Sequence, residues 1–191
     1  MTLDIKPCEI YGSYTEEEPK RPFLSQITLD FSPIDFISHW GRCGITANFL
    51  AQFQAENFEN KTISSNQFST IFNELIENAV KFSHHNAKKI YINIKNYGDK
   101  IYIEIENETT LKNVEAFSKN LETLFSNDPE TLFINKILEN AEQKEASQLG
   151  LITIIKDFNA KIGVKTAPIE YGKIYSVCVK VILDSEEIES K

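Results

Sequence analysis

The chain has 191 residues, 41% hydrophobic and 25% charged, the balance of a globular protein with one full core and little room for a second. Its formal net charge of -8 comes without a basic stripe, which argues against a nucleic-acid backbone as partner. Cys8, Cys43 and Cys178 are scattered with no CxxC pair, so small thiols are expected rather than a disulfide framework or a zinc site. "MTLDIKPCEIYG" lacks a basic n-region with an apolar core, and no run is long enough to span a bilayer. A cytoplasmic protein is expected.

Residues 1–22 include "YTEEEPKRP", charged and proline-bearing, and read as a flexible arm. "FLSQITLDF" (23–31) reads as the first strand. Pro33 then opens one helix running to Phe58, with Gly41 and Gly44 weakening its middle. The next helix has a capping box in Ser64 and Gln67, with Ile63 able to staple onto Phe68. Phe68, Ile71, Phe72, Leu75, Ile76, Ala79 and Val80 form its buried stripe, leaving Glu74, Glu77, Asn78 and Lys81 on the other side.

"KIYINIKNYGDKIYIEIEN" alternates as a hairpin turning at Asn96 to Asp99. A helical insertion spans 108–148. Its first helix is "LKNVEAFSKNLETLF", and Asp128-Pro129 starts a second with Leu132, Phe133, Ile137 and Leu138 on the apolar side. "GLITIIKDF" (150–158) is a short apolar helix, "KIGVKT" and "KIYSVCVKVIL" form a closing hairpin, and 185–191 is an acidic tail expected to fray. This order predicts a single domain over 23–184. Its fold class is a two-layer α/β sandwich, a mixed and mostly antiparallel sheet with helices on one face.

Glu74 and Asn78 stand one turn apart on one helical face. That spacing suits a base beside a metal-binding carboxamide, and equally suits a hydrated helix surface. His84 and His85 follow, placed either to meet an anion or to cap the helix C-terminus.

"NELIENAVKFS" (73–83) resembles the N-box of the GHKL (Bergerat-fold) ATPases, the superfamily of histidine-kinase catalytic domains, anti-sigma-factor serine kinases, gyrase and MutL. "SQLGLITIIKDFNAKIGVKT" (147–166) resembles their second glycine region, and the hairpin between lies where that fold places the strand leading into the first glycine motif. The likeness covers roughly residues 60–183. "HWGRCGITANFLAQFQ" is similar to the SiaB-type partner-switching kinases.

The resemblance implies a GHKL-type sandwich that binds ATP and Mg2+. In it Glu74 corresponds to the general base, Asn78 to the Mg2+ ligand, and Lys81 lies among the cofactor-binding residues. Asn107 falls where the adenine-reading Asp belongs, and Gly150 belongs to the phosphate loop. The implied activity is serine/threonine phosphorylation of a STAS-type antagonist in a bacterial partner-switching system, by a protein able to form a homodimer, with no nucleic-acid or membrane partner. This chain departs from the pattern at both glycine motifs. Thr109 and Leu111 occupy glycine positions of the first, and Gln148 replaces a glycine of the second, where Gly150 is otherwise readable as a loop hinge. A non-catalytic regulatory module that binds nucleotide weakly or not at all is therefore the alternative.

Overall fold

The computed structural model describes residues 6–143, 149–170 and 173–189. Six strands form one sheet: β1 (Glu9–Gly12), β2 (Ser25–Phe31), β3 (Ile90–Asn96), β4 (Lys100–Thr110), β5 (Lys161–Glu170) and β6 (Ile174–Asp184). Their spatial order is β1-β5-β6-β4-β3-β2. Seven helices accompany them among the described residues: α1 (Pro33–Ser38), α2 (Gly41–Ala55), α3 (Lys61–Phe82), α4 (Leu111–Ser126), α5 (Pro129–Gln143), α6 (Leu149–Phe158) and α7 (Ser185–Glu189).

The α/β class holds, with one correction. The sheet was expected to be mixed, but every described strand pair is antiparallel. Two hairpins, β3–β4 and β5–β6, lie side by side through β4 and β6, and the N-terminal strands close the two edges in the opposing sense.

Alternation along β4 sets the layers. Ile101, Ile103 and Ile105 are buried in the core shared with Phe68, Ile71, Phe72, Leu75 and Ile76 of α3. Tyr102 and Glu104 point to the other face, which residues 13–21 cross. There Glu16 pairs with Lys165 and Glu18 with Lys95, while Lys180 donates to the Thr15 carbonyl at 3.1 Å. Tyr14 covers Cys178, whose thiol is pushed up to about 12, chiefly by burial and then by the Glu104 charge.

Among the described residues, the stretches read as arm and tail each contain a regular element. Glu9–Gly12 is an edge strand within the stretch read as an arm. Gly12 ends it at φ +62, where an added Cβ would lie 2.4 Å from both the Ile162 carbonyl oxygen and the Phe125 ring. At the other end α7 buries Ile188 completely, and Ser185 donates to the Gly98 and Asp99 carbonyls.

Three helix readings change. The helix expected from Pro33 breaks at His39–Trp40 into α1 and α2. The N-cap of α3 is Asn60, whose side chain accepts from the Ile63 amide; Ser64 is buried within the helix and donates to the Asn60 carbonyl, so the capping box is unused. The insertion begins at Leu111, because β4 runs through Thr110; residues 144–148 lie outside the described residues. Its helices dock through Val114, Leu121, Leu124 and Leu132, whereas Ile137 and Leu138, expected on the apolar side, are exposed.

Candidate functional site

The outer side of α3 forms one wall of a cavity of about 550 Å³. Its lining includes Glu74, Asn78 and Lys81 from α3, Asn107 from β4 and Gly150 from α6. The five residues singled out from sequence thus share one cavity. Ile105, Leu121, Ile152, Val177 and Val179 add apolar wall. A mostly apolar concavity of this size with a few convergent polar groups is the usual form of a small-molecule site.

Glu74 and Asn78 reach this cavity because Ile71, Phe72, Ile76 and Val80 turn the opposite side of α3 into the core. Gly150 then brings the start of α6 against them. A Cβ at Gly150 would sit 2.2 Å from Glu74 Oε2 and 3.4 Å from Asn78 Nδ2. Alanine there would therefore displace the carboxylate, which as the end of a flexible side chain can move. Gly150 is a place of close approach and not merely a hinge.

Burial raises the Glu74 pKa, and the negative charge of Glu77 adds to the rise. Glu77 itself accepts from the Asn73 amide at 2.8 Å. Both effects favour the protonated carboxyl of Glu74 over its carboxylate.

On β4, Asn107 and Thr109 continue the inward positions of Ile101, Ile103 and Ile105. The Asn107 Nδ2 donates to Ser83 Oγ at 3.4 Å, and Ser83 donates to the Ala79 carbonyl at 2.6 Å. Thr109 donates to the Phe82 carbonyl at 2.5 Å, and Asn113 donates to Thr109 Oγ1 at 3.1 Å. Thr109, one of the positions where the resemblance led to a glycine, thus ties the C-terminal end of α3 to β4.

His84 and His85 are not among the lining residues. They follow Ser83, the C-cap of α3, with their rings 4.2 Å apart and His84 Nδ1 accepting from the Asn86 backbone amide. Gln148 lies outside the described residues. Sequence reasoning missed Trp40, Asn113, Asn120 and Lys136, which also line the cavity. Asn113 and Asn120 lie seven residues apart on the polar side of α4, a pattern ordinary for a solvated helix face. Thr109 carried a better signal: a polar residue at an inward strand position.

No protein-family profile matches the chain, and no curated protein matches it. Among the described residues no helix is long and apolar enough to cross a membrane, and no cluster of three or more His, Cys, Asp or Glu could hold a metal ion.

Proposed function

We propose that this protein is a GHKL-type serine/threonine protein kinase, dependent on ATP and Mg2+, that phosphorylates a STAS-type regulatory protein in a partner-switching system. The observation that carries the reading is the convergence of Glu74, Asn78 and Gly150 on one cavity that also contains Asn107 and Lys81.

The residues fit the nucleotide and its metal by the chemistry of their donors. Mg2+ keeps several waters and takes one or two protein oxygens beside phosphate oxygens, so the carboxamide of Asn78 suffices without a carboxylate cluster. Asn107 uses its amide toward Ser83, leaving its carbonyl oxygen to accept from an exocyclic amino group, with Ile105, Val177 and Val179 as apolar wall. Lys81 and the opening amides of α6 offer positive character to phosphate. Bound Mg-ATP supplies the transferable phosphoryl group and neutralises its developing charge.

Glu74 does the proton work. Its raised pKa and its place beside Asn78 equip it to accept the proton of an incoming serine or threonine hydroxyl. The α3 scaffold keeps carboxylate and carboxamide in fixed relation one turn apart. Asn107 is a neutral acceptor where a charged one gives about 1.5–3 kcal/mol against roughly 0.5–1.5, so affinity for nucleotide is expected to be modest.

Phosphate incorporation into a candidate partner tests the assignment. Glu74→Gln should leave Mg-ATP affinity nearly unchanged and slow transfer by about 10²–10⁴-fold. Asn78→Ala should weaken Mg-ATP binding itself. Equal transfer by wild type and Glu74→Gln would remove the base from its role. A wild type that transfers nothing favours the non-catalytic module, a reading supported by Thr109 and Leu111 at glycine positions and by the neutral Asn107.

A further inference from the structure

We propose that the outer face of α2 is a two-fold interface with a second copy of this chain, the two helices packing antiparallel about Phe49. One side of α2 is spent on the core, where Cys43, Ala47, Leu50 and Ala51 are fully buried. The other carries Ile45, Phe49 and Phe53, which are 70%, 54% and 43% exposed. At i, i+4 and i+8 they form one continuous stripe. Large apolar side chains aligned on a surface mark an interaction site, unlike single exposed ones.

The occupant follows from the symmetry of the stripe. Antiparallel pairing about a two-fold axis at Phe49 places each residue opposite the one equally far on the other side of position 49. Phe49 then meets Phe49, and Ile45 meets Phe53. The same operation sets Arg42 opposite Glu56, with Thr46 opposite Gln52. Positions 42, 45, 49, 53 and 56 follow the 3-4-4-3 spacing of a helical seam, which pairs helices near a 20° crossing. The stripe therefore complements itself in shape, and its ends complement each other in charge, as an isologous contact requires. Within one chain Arg42 already pairs with Asp35 and Glu56 with Lys61. Both pairs are exposed, so sharing the charges across a rim costs little. A seam about one helix long is at the small end of stable interfaces, and the dimer is expected to be weak and concentration-dependent.

The interface does not depend on the nucleotide reading, and its test uses no nucleotide. Sedimentation equilibrium of the full chain from low to high micromolar protein should show the mass rising toward twice the monomer. Phe49→Glu should hold the protein monomeric throughout with an unchanged circular dichroism spectrum, since Phe49 is outside the core. A monomer at every concentration overturns the proposal, as does a dimer that survives Phe49→Glu. The register is read by oxidation in a Cys8→Ser background, which removes the exposed native thiol. Phe49→Cys should cross-link, Ile45→Cys alone should not, and Ile45→Cys with Phe53→Cys should. Cross-linking by Ile45→Cys alone means a parallel pairing and overturns the antiparallel one.

Discussion

Glu74 shows how far a single residue can be read. Its one-turn spacing from Asn78 was visible in the sequence, but its electrostatics were not, because half-burial depends on α6 arriving over it at Gly150. The consequence is a pH dependence of stability with a defined sign. A carboxylate whose folded pKa is raised binds its proton more tightly in the native state than when unfolded. Its contribution is fully present below the ordinary carboxylate range and is lost as pH rises through the elevated folded value. Glu74→Gln should therefore stabilise the fold at neutral pH, with the gain vanishing under acid conditions. Urea unfolding of both proteins at acid and neutral pH checks this, and a pH-independent difference would mean that the carboxylate is not desolvated. Asn107 offers the complementary experiment. Asn107→Asp places a charge where the adenine-reading carboxylate of the resembling family stands, and calorimetry should show Mg-ATP binding tightened by about tenfold. Because Asn107 is only 6% exposed, some loss of stability without nucleotide should accompany the gain.

Among the elements, those with a strong apolar period were legible, and those defined by a long-range contact were not. The α3 stripe, the β3–β4 hairpin and the β5–β6 hairpin follow from spacing alone. β1 is four residues long and exists because β5 presents an edge, with Thr166 to Gly163 facing Glu9 to Gly12. Likewise α7 has only Ile188 to bury, in a pocket that no local pattern announces. The insertion lies between these cases. Val114, Leu121 and Leu124 fix α4 to the body, Leu132 anchors the start of α5, and Lys156 of α6 sits 4.7 Å from the centre of the Phe133 ring. Beyond Phe133, however, Ile134, Ile137 and Leu138 are exposed. Hydrogen exchange without ligand should show strong protection through α4 and weaker protection along α5 after Phe133, because opening there exposes little new apolar surface. Rapid exchange through both helices would instead describe a segment ordered only by ligand.

At the scale of the whole molecule, the sequence pointed to the candidate residues through one helix and a resemblance, while the cavity came from six elements meeting, α3, α4, α5, α6, β4 and β6. α3 supplies the pair, β4 replaces inward isoleucines by Asn107 and Thr109, and α6 closes over both with Gly150. A site assembled in this way exists only in the folded state, so any ligand it accepts must stabilise the fold by mass action. At about ten times its Kd, Mg-ATP should add about 1.4 kcal/mol. For a chain of this length that corresponds to a rise in Tm of about 3–6 °C. The shift should disappear when the metal is chelated and should shrink in Asn78→Ala, because the carboxamide is proposed to act through Mg2+. It should persist in Glu74→Gln, whose proposed role is in proton transfer. Thermal unfolding across a nucleotide titration measures all four cases. A wild type that unfolds at the same temperature at every Mg-ATP concentration would leave the cavity without its proposed ligand, and would favour the non-catalytic reading over the kinase.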